Sequence, residues 1–133
     1  MQYKIEIEKN ELCYQGFFRL EKYTLSHSLF AGGMSPPIQR ELISRGNAVA
    51  VLLYDPAEDA VVMIEQFRIG SLGDQAGAWV LELVAGFQEQ GETIEDVIRR
   101  EVKEEAGCSV GSMEFISEYY VNPANTSDQT VLM

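Results

Sequence analysis

The chain has 133 residues, 46% of them hydrophobic, which suits one ordinary domain with a packed core and is too short for two large ones. It carries 21 Asp and Glu against 10 Lys and Arg, a net charge of −11, and this excludes nucleic acid and anionic membrane as natural partners. An anionic ligand would need the field reversed locally, by a divalent cation or by a few placed arginines.

No run of roughly 18 or more apolar residues occurs, so no membrane span is expected. The N-terminal MQYKIEIEKNELC mixes charge with alternating apolar residues and is not a signal peptide. Cys13 and Cys108 lie far apart, without the CxxC or CxxH spacing of a zinc site, and read as two free thiols in a reducing cytoplasm. Tyr3, Ile5 and Ile7 alternate with polar residues and predict a strand. Gly16 to His27 (GFFRLEKYTLSH) predicts a second strand, with Glu8 to Tyr14 as its approach. After the turn-rich LFAGGMSPP, Ile38 to Ser44 predicts a third, punctuated by Arg45-Gly46.

Two apolar runs follow, Ala48 to Tyr54 and Ala60 to Phe67, joined by DPAED as a hairpin with Pro at a favoured turn position. Ser71 to Gly77 reads as a loop, and Trp79 to Val84 as a short strand running into Ala85-Gly86. A helix comes next. Met113 to Val121 then predicts a strand, NPANTSD (122–128) a loop, and Thr130 to Met133 a final strand. Strands, one helix, then strands suggest an α+β domain rather than a repeating βαβ sheet. The expected organisation is a strand-rich lobe over 1–45 and a main domain over 46–133. An apolar last strand with no helix to cover it predicts an exposed edge and a domain incomplete at its C-terminal end.

The stretch GFQEQGETIEDVIRREVKEEAGC (86–108) holds the most unusual pattern. Thr93 and Asp96 form a capping box, Gly107 is a natural stop, and the helix is expected from about Ile94 to Ala106. With Val97 at zero on a wheel of 3.6 residues per turn, Ile94, Ile98, Val102 and Ala106 fall at roughly 60°, 100°, 140° and 180°. Glu101 and Glu105 fall at roughly 40° and 80°, inside this apolar arc, and Glu104 lies about 20° outside it. Asp96, Arg99 and Lys103 face the other way. A solvated helix with i,i+4 pairs such as Arg100 to Glu104 accounts for the surface charges but not for Glu101 and Glu105. Two carboxylates one turn apart repel, and burying them unpaired is costly. A hard cation such as Mg²⁺, which binds one or two carboxylates plus substrate phosphate, removes both objections.

The same stretch resembles the signature of the Nudix hydrolases: Gly, five residues, Glu, seven residues, Arg-Glu, a bulky aliphatic, any residue, Glu-Glu, any residue, Gly, a bulky aliphatic. Here the positions are Gly86, Glu92, Arg100-Glu101, Val102, Glu104-Glu105, Gly107 and Cys108, with Cys108 smaller than the usual aliphatic. The flanking GFFRL (16–20), RELISRGNAVAVL (40–52), EQFR (65–68) and WVLELVAG (79–86) are similar to the ADP-ribose pyrophosphatase branch, as is Pro123, 16 residues after Gly107.

The resemblance implies a Nudix-type α/β/α sandwich with a mixed sheet. It also implies Mg²⁺- or Mn²⁺-dependent hydrolysis of the diphosphate of ADP-ribose to AMP and ribose 5-phosphate. By the same resemblance Glu101 and Glu105, with the backbone carbonyl of Ala85, are metal ligands. Glu104 is a further metal or water-positioning carboxylate, and Arg100 orients its neighbours, Glu92 among them. Phe17 is similar to an aromatic that stacks on adenine, and Arg40, Glu41 and Arg68 to residues that hold adenine, ribose or phosphates. The N-terminal strands of this branch exchange between subunits, which implies a homodimer. Members continue past the position of Met133 and carry a further catalytic glutamate there.

Simpler readings stand beside these. Phe17 next to Phe18 reads as core, Arg40 and Arg68 as surface arginines, His27 as structural, and Asn125, Thr126 and Ser127 as loop residues without chemistry. Two other functions compete: a Nudix hydrolase of another nucleoside-diphosphate sugar, and a non-catalytic ADP-ribose-binding module.

Overall fold

In the computed structural model, which describes residues 3–133, the chain divides into two units. One holds the residues up to Gly46 together with Tyr120–Asp128, and the other holds Asn47–Tyr119 with Gln129–Met133.

The first unit is an antiparallel meander of β1 (Ile5–Gln15), β2 (Arg19–His27) and β3 (Ile38–Ser44). The sequence predicts a short strand and an approach where the structure has one continuous β1. The reason is two register shifts, between Ile7 and Lys9 and between Leu12 and Tyr14. Each bulge inserts a residue, Glu8 and then Cys13, and re-phases the alternation, so the strand outlasts its own periodic pattern. Glu21, buried on β2, accepts from Asn10 Nδ2 at 2.9 Å and from Arg19 Nη2 at 2.7 Å. The Arg19 hydrogen bond is the main cause that holds its carboxyl below the usual range. The 122–128 loop is tied to β3: Ile43 N–H donates to Asn125 O at 2.8 Å, and Ser127 N–H donates to Ile43 O at 3.3 Å.

The second unit contains a four-stranded mixed sheet in the order β10-β11-β4-β9, formed by β10 (Ser117–Tyr120), β11 (Gln129–Leu132), β4 (Ala48–Val51) and β9 (Val84–Phe87). Two ribbons accompany it, β5 (Leu53–Asp55) with β6 (Ala60–Val62), and β7 (Ile64–Phe67) with β8 (Trp79–Glu82). The three apolar runs predicted as single strands are each cut in two, at Leu52, Met63 and Leu83. At these points the chain changes partner: β4 pairs with β9, β5 with β6, and β7 with β8. Leu52 N–H still donates to Met133 O at 2.8 Å, extending the pairing of β4 with β11 after that with β9 has ended at Val51.

Two strand expectations need correction. The predicted Met113 to Val121 strand is confined to Ser117–Tyr120. The final strand is not an exposed edge. It lies inside the sheet, parallel to β4 through Thr130↔Ala48 and Leu132↔Ala50, with β10 on its other side. Pairing with β4 on one side and β10 on the other satisfies both of its edges.

The core is Val49, Val51 and Val84 from the sheet with Val97, Ile98 and Val102 from the helix, flanked by Leu53, Ile64, Ile94 and Met133. Burying each such side chain contributes about 1.5–3 kcal/mol. The class is α+β, a mixed sheet with one helix packed on β4 and β9 among the described residues. No helix among the described residues is long and apolar enough to cross a membrane.

Candidate active site

The helix starts as its sequence requires. Thr93 Oγ1 accepts from Asp96 N–H at 3.2 Å, and Asp96 Oδ2 accepts from Thr93 N–H at 3.0 Å, a complete capping box. It ends at Gly107, whose φ of 66° is left-handed. Between these points the expectation of a uniform α-helix fails. α1 spans Ile94–Glu101, and Val102–Ala106 form a π turn. An i→i+5 closure takes an extra residue per turn, so the ideal wheel angles do not hold beyond Glu101. Burial gives the direct answer. Val97, Ile98 and Val102 are buried, Glu101 and Glu105 are half-buried, and Asp96, Arg99, Lys103 and Glu104 are exposed. Glu104 therefore sits on the same turn as Glu105 but faces solvent.

Arg100 is the hub of the site. Its Nε lies 2.9 Å from Glu92 Oε1 and its Nη2 lies 3.0 Å from Glu92 Oε2, a two-pronged clamp. Its Nη1 donates to Glu101 Oε1 at 2.6 Å, and Nη2 also reaches Phe87 O at 3.3 Å. The anticipated Arg100 to Glu104 pair is not formed, because Glu92 and Glu101 occupy the guanidinium. Arg99 does form an i,i+4 pair, with Glu95 at 2.6 Å. The Arg100 hydrogen bond, with the Glu89 amide second, holds the Glu92 carboxyl below the usual carboxylate range. The two carboxylates raise the guanidinium further above its already high value.

Glu101 rests on β9. Gly86, opposite Val49 and next to Ala85, has the Glu101 carboxylate directly over its Cα. A Cβ at position 86 would occupy the volume that this carboxylate fills. Ala85 itself is half-buried and lies opposite Ala50.

Glu105 is held differently. Its Oε1 accepts from Gln66 Nε2 at 2.5 Å, while its Oε2 is buried without any hydrogen-bond partner. A dry, unpartnered carboxylate oxygen is costly unless something positive meets it. Glu92, Glu101 and Glu105 set three negative charges against the single charge of Arg100. The residues present thus fit a hard divalent cation: oxygen donors, an uncompensated double charge and an orphaned oxygen. Among the described residues no three Asp, Glu, His or Cys side chains form a ready-made cage. Mg²⁺ needs none, since it keeps waters and takes substrate phosphates beside one or two carboxylates.

The remaining expected site residues are placed as follows. Arg68, just after β7, puts both Nε and Nη2 on Glu82 Oε1, at 2.7 and 2.6 Å, so it is an exposed arginine held in an ion pair. Phe17, Arg40 and Glu41 belong to the other unit. The core reading of Phe17 is overturned: it is 66% exposed at the β1–β2 tip. Its ring meets Phe18 edge-on at 4.9 Å and carries the Arg45 guanidinium 3.8 Å from its centroid. Arg40 is exposed and donates to Gln39 O at 2.7 Å, and Glu41 is exposed opposite Lys22. His27 is exposed at the end of β2, with Nδ1 3.0 Å from Ser28 O. Three features escaped the sequence reading: Gln66, Glu82 as the partner of Arg68, and the space that Gly86 leaves for Glu101. Only the last had a signal, a glycine fixed at the head of the motif.

A family model described as the NUDIX domain matches residues 44–132. The chain is 43% identical over 129 residues to an ADP-ribose pyrophosphatase of Escherichia coli (strain K12), covering 97% of this chain and 62% of that protein. It is 43% identical over 125 residues to the ADP-ribose pyrophosphatase of Haemophilus influenzae, covering 92% and 58%. It is 35% identical over 129 residues to a GDP-mannose pyrophosphatase of Yersinia pestis (strain Pestoides F), covering 96% and 64%. The chain therefore spans less than two thirds of the length of these relatives. A solved structure described as an ADP compounds hydrolase superposes with a TM-score of 0.73 at 20% identity, over 97% of this chain and 65% of that one, which establishes likeness of fold.

Proposed function

The chain belongs to the NUDIX domain family, and from that premise we propose that it is a divalent-cation-dependent pyrophosphohydrolase that cleaves ADP-ribose. Water is added across the diphosphate, giving AMP and ribose 5-phosphate. The observation that carries this reading is the buried, unpartnered Glu105 Oε2 beside an acidic cluster left uncompensated by Arg100. The two ADP-ribose pyrophosphatases at 43% identity support the choice of substrate.

Glu101 and Glu105, with the carbonyl of Ala85, would hold Mg²⁺ or Mn²⁺. When bound, that cation offsets charge on the phosphate oxygens and lowers the pKa of a water. The protein's own part is positional. Arg100, locked by Glu92, prevents Glu101 from turning away from β9. Glu104, exposed on the π turn, is free to reach a water or a second cation. Arg68, paired with Glu82, would offer a positive charge to a phosphate, and by resemblance alone Arg40 of the other unit would be a substrate-binding residue. Phe17 and Glu41 would serve the adenine and ribose. Exposed apolar residues along β1, Ile5, Ile7, Leu12 and Tyr14 among them, support a homodimer formed through the N-terminal strands. Two free, exposed cysteines agree with a cytoplasmic setting.

Product analysis after incubation with ADP-ribose and Mg²⁺ tests the proposal. AMP should appear, should vanish with EDTA, and should fall about 100-fold or more in Glu105→Gln. AMP release that survives either change would refute it. The 35% identity to a GDP-mannose pyrophosphatase favours one second reading, hydrolysis of another nucleoside-diphosphate sugar, and a substrate panel ranked by kcat/KM separates the two. Calorimetric binding of ADP-ribose without turnover would instead point to a binding module.

A further inference from the structure

Gln66 lies on β7, where burial alternates: Ile64 and Gln66 are half-buried, Glu65 and Phe67 exposed. Ile64 uses its inward position to pack on the core. Gln66 uses the next inward position for an amide, where strand alternation calls for an apolar side chain. That amide spans 39 residues of sequence to reach Glu105 Oε1 at 2.5 Å. A carboxylate only accepts, so the amide must present its NH₂ group.

The two half-buried carboxylates of the helix are thus steadied by different means. Glu101 is held by a guanidinium, which cancels charge, and Glu105 is held by a neutral donor, which does not. Tethering one oxygen fixes the carboxylate plane, and the other oxygen, Oε2, is left buried and unpartnered. A charged donor in the same place would fix the plane equally well and repel a cation. We infer that Gln66 is a positioning residue that orients Glu105 toward the cation while preserving its charge. The inference rests on the proposed reading of Glu105 as a cation ligand.

Mn²⁺ binding to the substrate-free 133-residue chain, followed by electron paramagnetic resonance, tests it in four proteins: wild type, Gln66→Met, Gln66→Lys and Glu105→Gln. Gln66→Met keeps the shape and removes the donor, and its Mn²⁺ affinity should fall about tenfold, as for other residues that orient a metal ligand. Gln66→Lys restores a donor but adds charge, and should bind Mn²⁺ at least as weakly. Should the methionine variant fail to fold, Gln66→Asn, whose amide stops one methylene short, carries the same expectation. Wild-type Mn²⁺ affinity in Gln66→Met, with binding lost in Glu105→Gln, overturns the positioning role and leaves the cation reading intact. So does a fall in the EDTA unfolding midpoint with Mn²⁺ affinity unchanged, which is the mark of a merely structural residue. Wild-type affinity in Gln66→Lys overturns the requirement for a neutral donor. Undiminished binding in Glu105→Gln, or none in wild type, overturns both readings.

Discussion

A hydrogen atom in place of a methyl group at position 86 decides where Glu101 can lie. Gly86 has ordinary strand geometry, so its backbone does not require glycine. The requirement is space, because the Glu101 carboxylate occupies the place of the missing Cβ. In Gly86→Ala the Glu101 side chain must yield from Cγ outward, and because it is flexible, stability should drop only about 1 kcal/mol, the low end for overpacking. The displaced carboxylate would leave Arg100 and the face of β9, so kcat should fall about 10–100-fold. Thermal unfolding and turnover measured on the same preparation check this. A variant with wild-type kcat would show that Glu101 does not work from its place over Gly86. At this scale the sequence was readable where a residue type broke a pattern. Glu101 and Glu105 stood out as acids in an apolar arc. Gln66 did not, since a glutamine beside Glu65 in a strand reads as surface, and its partner is far away in sequence.

At the scale of elements, the clamp between Glu92 and Arg100 joins the loop before the helix to the helix itself. Its pH dependence has a definite sign. Hydrogen bonding from Arg100 holds the folded-state pKa of Glu92 below its unfolded value, which is about 4.3. The clamp's contribution is therefore complete above that unfolded value and is lost as pH falls through the lower folded value. Glu11, Glu21 and Asp96 are lowered as well, so the acid limb of the wild type alone cannot isolate Glu92. The difference between wild type and Glu92→Gln can. Unfolding midpoints should differ most near neutrality and converge as pH drops below about 4. Curves that stay parallel to pH 3 would show that the pairing does not contribute through this ionisation.

Element boundaries were also where the sequence was least informative. Leu52, Met63 and Leu83 are apolar residues within apolar runs, and periodicity carries no mark for a change of partner strand. The π turn was hidden for a similar reason. Its five residues, VKEEA, are ordinary helix formers, so local propensity carries no mark of the extra residue per turn.

For the molecule as a whole, the net charge of −11 acts on ligands of opposite sign in opposite ways. On the proposed function it would attract a divalent cation to Glu101 and Glu105, and it would repel a diphosphate substrate until that cation and Arg68 reverse the local field. Salt screens both effects, with a Debye length of about 30 Å at 0.01 M falling to about 8 Å at 0.15 M. Two measurements separate them. Across this range of added monovalent salt, the Mg²⁺ concentration giving half-maximal rate should rise severalfold, because long-range attraction is lost. With Mg²⁺ saturating throughout, KM for ADP-ribose should fall severalfold, because the repulsion that remains between two anions is screened. A KM that rises instead would mean that the field at the site is already positive before substrate arrives. The arginines and the cation would then outweigh the acidic surface even at a distance, and the work assigned to local charge reversal would belong to the whole face around the site.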